Sequence, residues 1–128
     1  MKKIAVTPKT CAPTGGFYSH GIKLGDLLFC AGQVPVDPDT KTLVVGDIRV
    51  QTTRVLENIK LILADQNLTF ANIVKATVFL KDMADFQAMN ETYGTYFPKD
   101  VPLPARTTVQ VAALPRGAAI EIEVIAHY

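Results

Sequence analysis

From Asp47 onward the apolar positions Ile48, Val55, Leu56, Ile59, Ile62 and Leu63 recur at the spacing of one helical face, while Arg49, Arg54, Glu57 and Lys60 fall on the others. The spacing predicts an amphipathic helix that ends near Gln66-Asn67. Ile73 to Leu80, rich in β-branched residues, then reads as a strand with Val74, Ala76, Val78 and Leu80 on the face that packs against this helix. Asp82 suits an N-cap and Asp85 a first turn, after which Phe86, Met89, Tyr93 and Phe97 mark a second amphipathic helix stopped by Pro98. Near the C-terminus Ile120, Ile122, Val124 and Ala126 alternate with Glu121 and Glu123, which predicts a strand over 118–127 with one core face and one polar face. Ala105 to Ala112 reads as the strand before it, and Leu114-Pro115-Arg116-Gly117 as the turn of a terminal hairpin. At the other end Ile4 to Thr7 is a short strand and Pro8 to Gly16 a loop. Tyr18 to Leu24 and Asp26 to Gly32 are two strands meeting at Gly25, and Asp37 to Thr42 is a turn.

Strands and helices in this order, with hairpins at both ends, predict an α+β two-layer domain spanning residues 1–128, its two helices on one side of the sheet. Ile125, apolar on the otherwise polar face of the last strand, implies that the second side is covered as well, which oligomerisation would achieve. A chain of 128 residues, 48% apolar and 20% charged, can bury one sizeable core. Its formal net charge of +1, with Lys and Arg scattered, gives no footprint for nucleic acid or anionic lipid. No apolar stretch approaches the roughly 20 residues that cross a bilayer. The basic start Met1-Lys2-Lys3 is followed by polar Thr7, Lys9 and Thr10 where an export signal needs an apolar run, so a soluble cytoplasmic protein is expected. Cys11 and Cys30 have neither disulfide-framework nor metal-site spacing, and Cys30, inside Leu27-Leu28-Phe29-Cys30-Ala31, reads as a small buried residue rather than a reactive thiol.

The chemistry is concentrated at a few positions. Arg106 enters a strand directly after the proline-containing loop Lys99 to Pro104, where a rigid backbone would aim its planar fork at a carboxylate. A solvent-exposed ion pair is the usual fate of a lone arginine. In a tight terminal hairpin Arg106, Thr108 and Gln110 share a face, and one register places Glu121 and Glu123 beside them. A carboxylate there would orient water or accept a proton, or else merely neutralise the arginine. Tyr18, after Gly15-Gly16-Phe17, could close a pocket or simply anchor its loop. His20 and His127 have no local ligand partners and read as surface or satisfied histidines, so no metal site is expected. No phosphate-cradling glycine loop, Ser-centred elbow or Cys/His pair is visible. The residues left suit the binding of a small acid and the direction of water.

Tyr18-Ser19-His20-Gly21, Ala31-Gly32-Gln33-Val34-Pro35, Leu56-Glu57-Asn58-Ile59-Lys60 and Val74-Lys75-Ala76-Thr77-Val78-Phe79 occur in the same order as in a known family. So do Asn90-Glu91-Thr92-Tyr93, Pro104-Ala105-Arg106 and Leu114-Pro115 leading to Ile120-Glu121-Ile122-Glu123. From about Ala12 to Ala126 the chain resembles the RidA (YjgF-type) reactive enamine/imine deaminases. The resemblance implies a chorismate-mutase-like fold with a mixed sheet, assembled as a homotrimeric barrel with sites between subunits. It implies that Arg106 holds the substrate carboxylate, Glu121 orients the attacking water, Tyr18 lines the pocket and the Gly32 amide lies against the ligand. The implied reaction is hydrolysis of 2-aminoacrylate or 2-aminocrotonate, through 2-iminopropanoate or 2-iminobutanoate, to a 2-oxo acid and ammonia, with no cofactor or metal. Two ligand-contacting positions depart from the family's usual serine and cysteine, being Ala31 and Thr108 here. The first departure keeps open a non-catalytic trimer that binds 2-oxo acids and regulates. An endoribonuclease or translation-inhibitor role is a third reading, disfavoured by the neutral charge and the lack of a basic or aromatic strip.

Overall fold

The computed structural model describes residues 1–128. Six strands form one sheet: β1 (Ile4–Val6), β2 (Gly21–Leu24), β3 (Leu27–Gln33), β4 (Ile73–Leu80), β5 (Ala105–Gln110) and β6 (Ile120–His127). Two helices, α1 (Ile48–Asp65) and α2 (Phe86–Gly94), pack on one of its faces. The strand order is β1-β2-β3-β6-β4-β5, antiparallel throughout except for the parallel pair β4–β5. This is the mixed α+β architecture expected.

The expected terminal hairpin does not form. β6 runs between β3 and β4, and β5 lies on the far side of β4, parallel to it, with Ala76 opposite Arg106 and Val78 opposite Thr108. Burial explains the choice. Ile120, Ile122, Val124 and Ala126 are all buried, and a strand with so apolar a face gains most from the middle of the sheet. β5 carries Arg106, Thr107, Thr108 and Gln110, polar residues of the kind that suit an edge. The connection passes over the end of β4, where the Val111 N–H donates to the Leu80 carbonyl and the Lys81 N–H to that of Ala119.

α1 follows its pattern closely. Asp47 caps it by accepting from the Val50 N–H at 3.0 Å, and Val55, Leu56, Ile59, Ile62 and Leu63 are fully or almost fully buried against the sheet. Its C-terminus closes on Asn67, at φ 58°, with the Leu68 N–H returning to the Leu63 carbonyl. Elsewhere boundaries differ. A β-bulge between Ile73 and Lys75 buries Ile73 (4% exposed) and turns Val74 out (42%), so Val74 does not join Ala76, Val78 and Leu80 on the helix face. Asp82 caps a 3₁₀ turn, Met83–Asp85, leading into α2. The helix ends at Gly94, a poor helix former, four residues before Pro98, yet Phe97 remains buried against Tyr93 and Phe70. Tyr18 lies in the loop before β2 rather than in a strand.

Asn58 ties α1 to the segment after β3. Its amide donates to the carbonyls of Val34 (3.2 Å) and Val36 (2.8 Å), and its Oδ1 accepts from the Arg54 Nε–H at 3.1 Å. Asn58→Ala leaves the buried Val36 carbonyl without a partner, while that of Val34 keeps the Val36 N–H, and should lower stability by about 1–3 kcal/mol. Urea unfolding checks this through a reduced midpoint at unchanged slope.

Candidate active site

A cleft of about 870 Å³ opens where the Cys11–His20 loop faces the end of β3 and the Pro115-Arg116 turn. Tyr18, Ala31, Gly32 and Glu121 all line it. A bulge in β3 between Cys30 and Gln33 creates the opening, because it takes Ala31 and Gly32 out of register with β6. The Ala31 N–H donates instead to the His20 carbonyl at 2.8 Å. The Glu121 carboxylate rests over Gly32 so closely that any Cβ there would collide with its Oε2 and Cδ. Glycine is therefore required for this carboxylate position. Burial, and secondarily the charge of Glu123, raises the Glu121 pKa above the ordinary glutamate value of 4.5. Tyr18 is 56% exposed, and its phenol oxygen accepts from the Gly15 N–H at 3.3 Å, so its ring leans over the glycine loop at the rim.

Arg106 and Thr108 are not in this cleft. Arg106 pairs with Ala76, a buried helix-face residue, whereas Glu121 pairs with Phe79, three residues further along β4 and on the opposite face. The register that would have put Arg106 beside Glu121 and Glu123 is thus excluded, since β4 intervenes and the two side chains point to opposite sides of the sheet. The half-buried Arg106 forms no ion pair and no side-chain hydrogen bond; the one salt bridge in the chain is Arg49–Glu91 at 2.6 Å. Its guanidinium sits instead over the Tyr93 ring at 4.7 Å and the Phe86 ring at 5.6 Å. Such a shelf stabilises the cation without neutralising it or using its N–H donors. Thr108 flanks Arg106 on the same face, but its hydroxyl is buried without a partner, turned into the protein.

Phe86 and Tyr93 read as core markers in the sequence. Their seven-residue spacing does place them on one face of a helix, but only the β4–α2–β5 crossover brings that face against Arg106. His20 is anchored, its Nε2–H donating to the Ala12 carbonyl at 2.7 Å. Cys30 is an inert thiol, pushed up to about 12 by burial and secondarily by Cys11. No group of three or more His, Cys, Asp or Glu side chains is placed to hold a metal, and no helix is long and apolar enough to cross a membrane.

Residues 9–128 match the endoribonuclease L-PSP family. The chain belongs to this family, which is the YjgF/RidA family. It is 47% identical over 126 residues to a RutC family protein of Pyrococcus abyssi, covering 98% of this chain and 97% of that protein. It is 42% identical over 127 residues to the 2-iminobutanoate/2-iminopropanoate deaminase of Salmonella typhimurium, covering 98% of each. The crystal structure of E. coli TdcF with bound serine superposes with a TM-score of 0.91 at 36% identity, covering 98% of both chains.

The electrostatics of Glu121 can be measured. Because its folded pKa is raised, the folded chain keeps a proton that the unfolded chain releases, so this group's contribution to stability is full below about 4.5 and is lost as pH rises through the folded value. NMR titration of the Glu121 side-chain carboxyl should give a midpoint above 4.5, falling in Glu123→Gln. An unshifted midpoint in that variant would show that the neighbouring charge is not felt.

Proposed function

We propose that this protein hydrolyses small 2-imino acids, such as 2-iminopropanoate and 2-iminobutanoate, to 2-oxo acids and ammonia, at a site completed by two copies of the chain. The carrying observation is Arg106, half-buried on an aromatic shelf with no carboxylate partner and its donors unused. A cation held in this way is suited to a carboxylate that arrives from outside. The name of the Salmonella relative and the serine held by TdcF support a small carboxylate substrate.

One chain cannot close Arg106 and Glu121 on the same small molecule, because they lie on opposite faces with β4 between them. The reading therefore joins the Arg106 shelf of one copy to the Glu121 cleft of the next. Leu27, Phe29 and Val109 expose apolar surface on the helix-free face, beside half-buried Phe79 and Ile125, and a closed trimer would cover them. In the combined site Arg106 fixes the substrate carboxylate, the Gly32 backbone and Tyr18 border the reacting carbon, and Glu121 orients water. The water oxygen bonds to the imine carbon and the C=N electron pair moves to nitrogen. Glu121 takes one proton from the water and gives it to that nitrogen, forming a carbinolamine. It then takes the remaining hydroxyl proton and passes it to the amino group, so that the C–N bond breaks and ammonia leaves as the carbonyl forms. A carboxyl with a raised pKa suits this shuttle. The chemistry is undemanding, and holding the acid and the water together supplies much of the acceleration. Thr108, its hydroxyl turned inward, would need a rotamer change to touch the ligand.

Ala31 favours a second reading, because its methyl lines the cleft where a hydroxyl could have bonded the ligand: a trimer that binds 2-oxo acids without turnover. Generating 2-aminoacrylate with a dehydratase and following pyruvate release separates the two. Acceleration by the wild-type protein, lost in Arg106→Ala, is expected; pyruvate binding without acceleration would leave only the sensing role. Cleavage of a generic RNA by highly purified protein, lost in the same variant, would favour the activity for which the family is named.

The shelf has its own test. Tyr93→Phe keeps the ring and removes a buried, unpartnered hydroxyl, so KM should stay near wild type. Tyr93→Leu should raise KM several-fold, in line with the loss of a cation–π contact, with a smaller effect on kcat. Equal KM values for the two variants would show that the ring does not hold Arg106.

A further inference from the structure

The Glu121 cleft also carries two cations, both on exposed residues, that the reaction just described does not use. Arg116 and Lys41 both line it, while Glu121 is the sole carboxylate on its wall. The Arg116 Nη1–H donates to the Lys41 carbonyl at 3.0 Å, and neither side chain is paired with a carboxylate anywhere in the chain.

Their backbones are unusual as well. Arg116 (φ 59°) and Lys41 (φ 61°) both lie in the left-handed region, which costs a residue with a Cβ stabilisation that Asn or Gly would not lose. Lys41 is fixed there by a closed turn in which its N–H donates to the Asp37 carbonyl at 2.8 Å and the Asp37 N–H donates to the Thr42 carbonyl at 2.9 Å. Asp37 Oδ1 braces the same turn by accepting from the Asp39 and Thr40 amides. Arg116 precedes Gly117, also left-handed, on the segment that leads directly into β6 and Glu121. Arg116 lies five positions before Glu121, so their Cα atoms are at most roughly 17 Å apart.

The guanidinium fork of Arg116, with Nη1 on the Lys41 carbonyl and its other donors free, suits a planar carboxylate, and Lys41 adds a point charge beside it.

We propose that Arg116 and Lys41 form a second carboxylate subsite, so that the preferred substrates are imines of acidic amino acids, their side-chain carboxylate bound here while Arg106 of another copy holds the first. The proposal rests on the deaminase reading. It makes Arg116 and Lys41 specificity determinants, with no part in the chemical step.

The test compares imines made in situ from aspartate and from alanine by amino-acid oxidases, following the loss of imine with and without the protein. Arg116→Asn removes the charge with a residue that tolerates the left-handed backbone, and Lys41→Asn does the same at the other position. Each variant should lower kcat/KM for the aspartate-derived imine by about tenfold, the worth of one charge-assisted hydrogen bond, and leave the alanine-derived imine within about twofold. Arg106→Ala should depress both. Equal activity of the wild type on the two imines, or an equal loss on both in Arg116→Asn, would overturn the subsite. Should the wild type accelerate neither imine, the deaminase reading fails by itself, and calorimetry with oxaloacetate and pyruvate decides the subsite. Tighter binding of the dicarboxylate, lost in Arg116→Asn, supports it; indistinguishable binding refutes it.

Discussion

The backbone ladder of β6 governs the rest of the structure. By pairing with β3 on one side and β4 on the other, it buries Ile120, Ile122, Val124 and Ala126 under the helices and pushes β5 to the edge. The same pairing presents Glu121 on the helix-free face above Gly32, and leaves Arg106 on the helix side over α2. A hairpin of β5 with β6 would have put an arginine and two glutamates on one surface, where the most economical outcome is mutual neutralisation. Separation keeps the arginine uncompensated, and an uncompensated cation on an aromatic shelf is what an incoming carboxylate needs.

Local patterns were legible wherever one face of an element was buried by its own neighbours. The periodicity of α1 specified both its buried face and its ends, and the alternation in β6 gave the correct core residues. What the sequence could not show was pairing between distant strands. Leu114-Pro115-Arg116-Gly117 has turn chemistry and does form a turn, but a turn does not dictate which strands it leaves paired. The bulge at Val74 and the end of α2 at Gly94 were hidden for a related reason, since each reflects how an element meets its neighbour.

The candidate site was half legible. Tyr18, Ala31, Gly32 and Glu121 do converge, and the ordered motifs identified them before any geometry was known. Arg106 was read as a carboxylate binder beside Glu121, but its place on another surface was not legible, and its shelf of Phe86 and Tyr93 could not be separated from ordinary core packing. In the proposed reading assembly is part of the chemistry, because the site needs Arg106 of one copy and Glu121 of another, and the exposed apolar surface of the sheet would give the copies a reason to associate.

Subunit mixing tests this most directly. Arg106→Ala and Glu121→Gln copies, each inactive alone, would be dissociated together and reassembled at equal ratio. With the two residues contributed by different copies, random assembly gives one site in about four an intact Arg106 and an intact Glu121, so about a quarter of wild-type imine hydrolysis should return. If both residues serve the same copy's site, no mixture restores an intact pair, and activity that stays at the level of the separate variants would contradict the account.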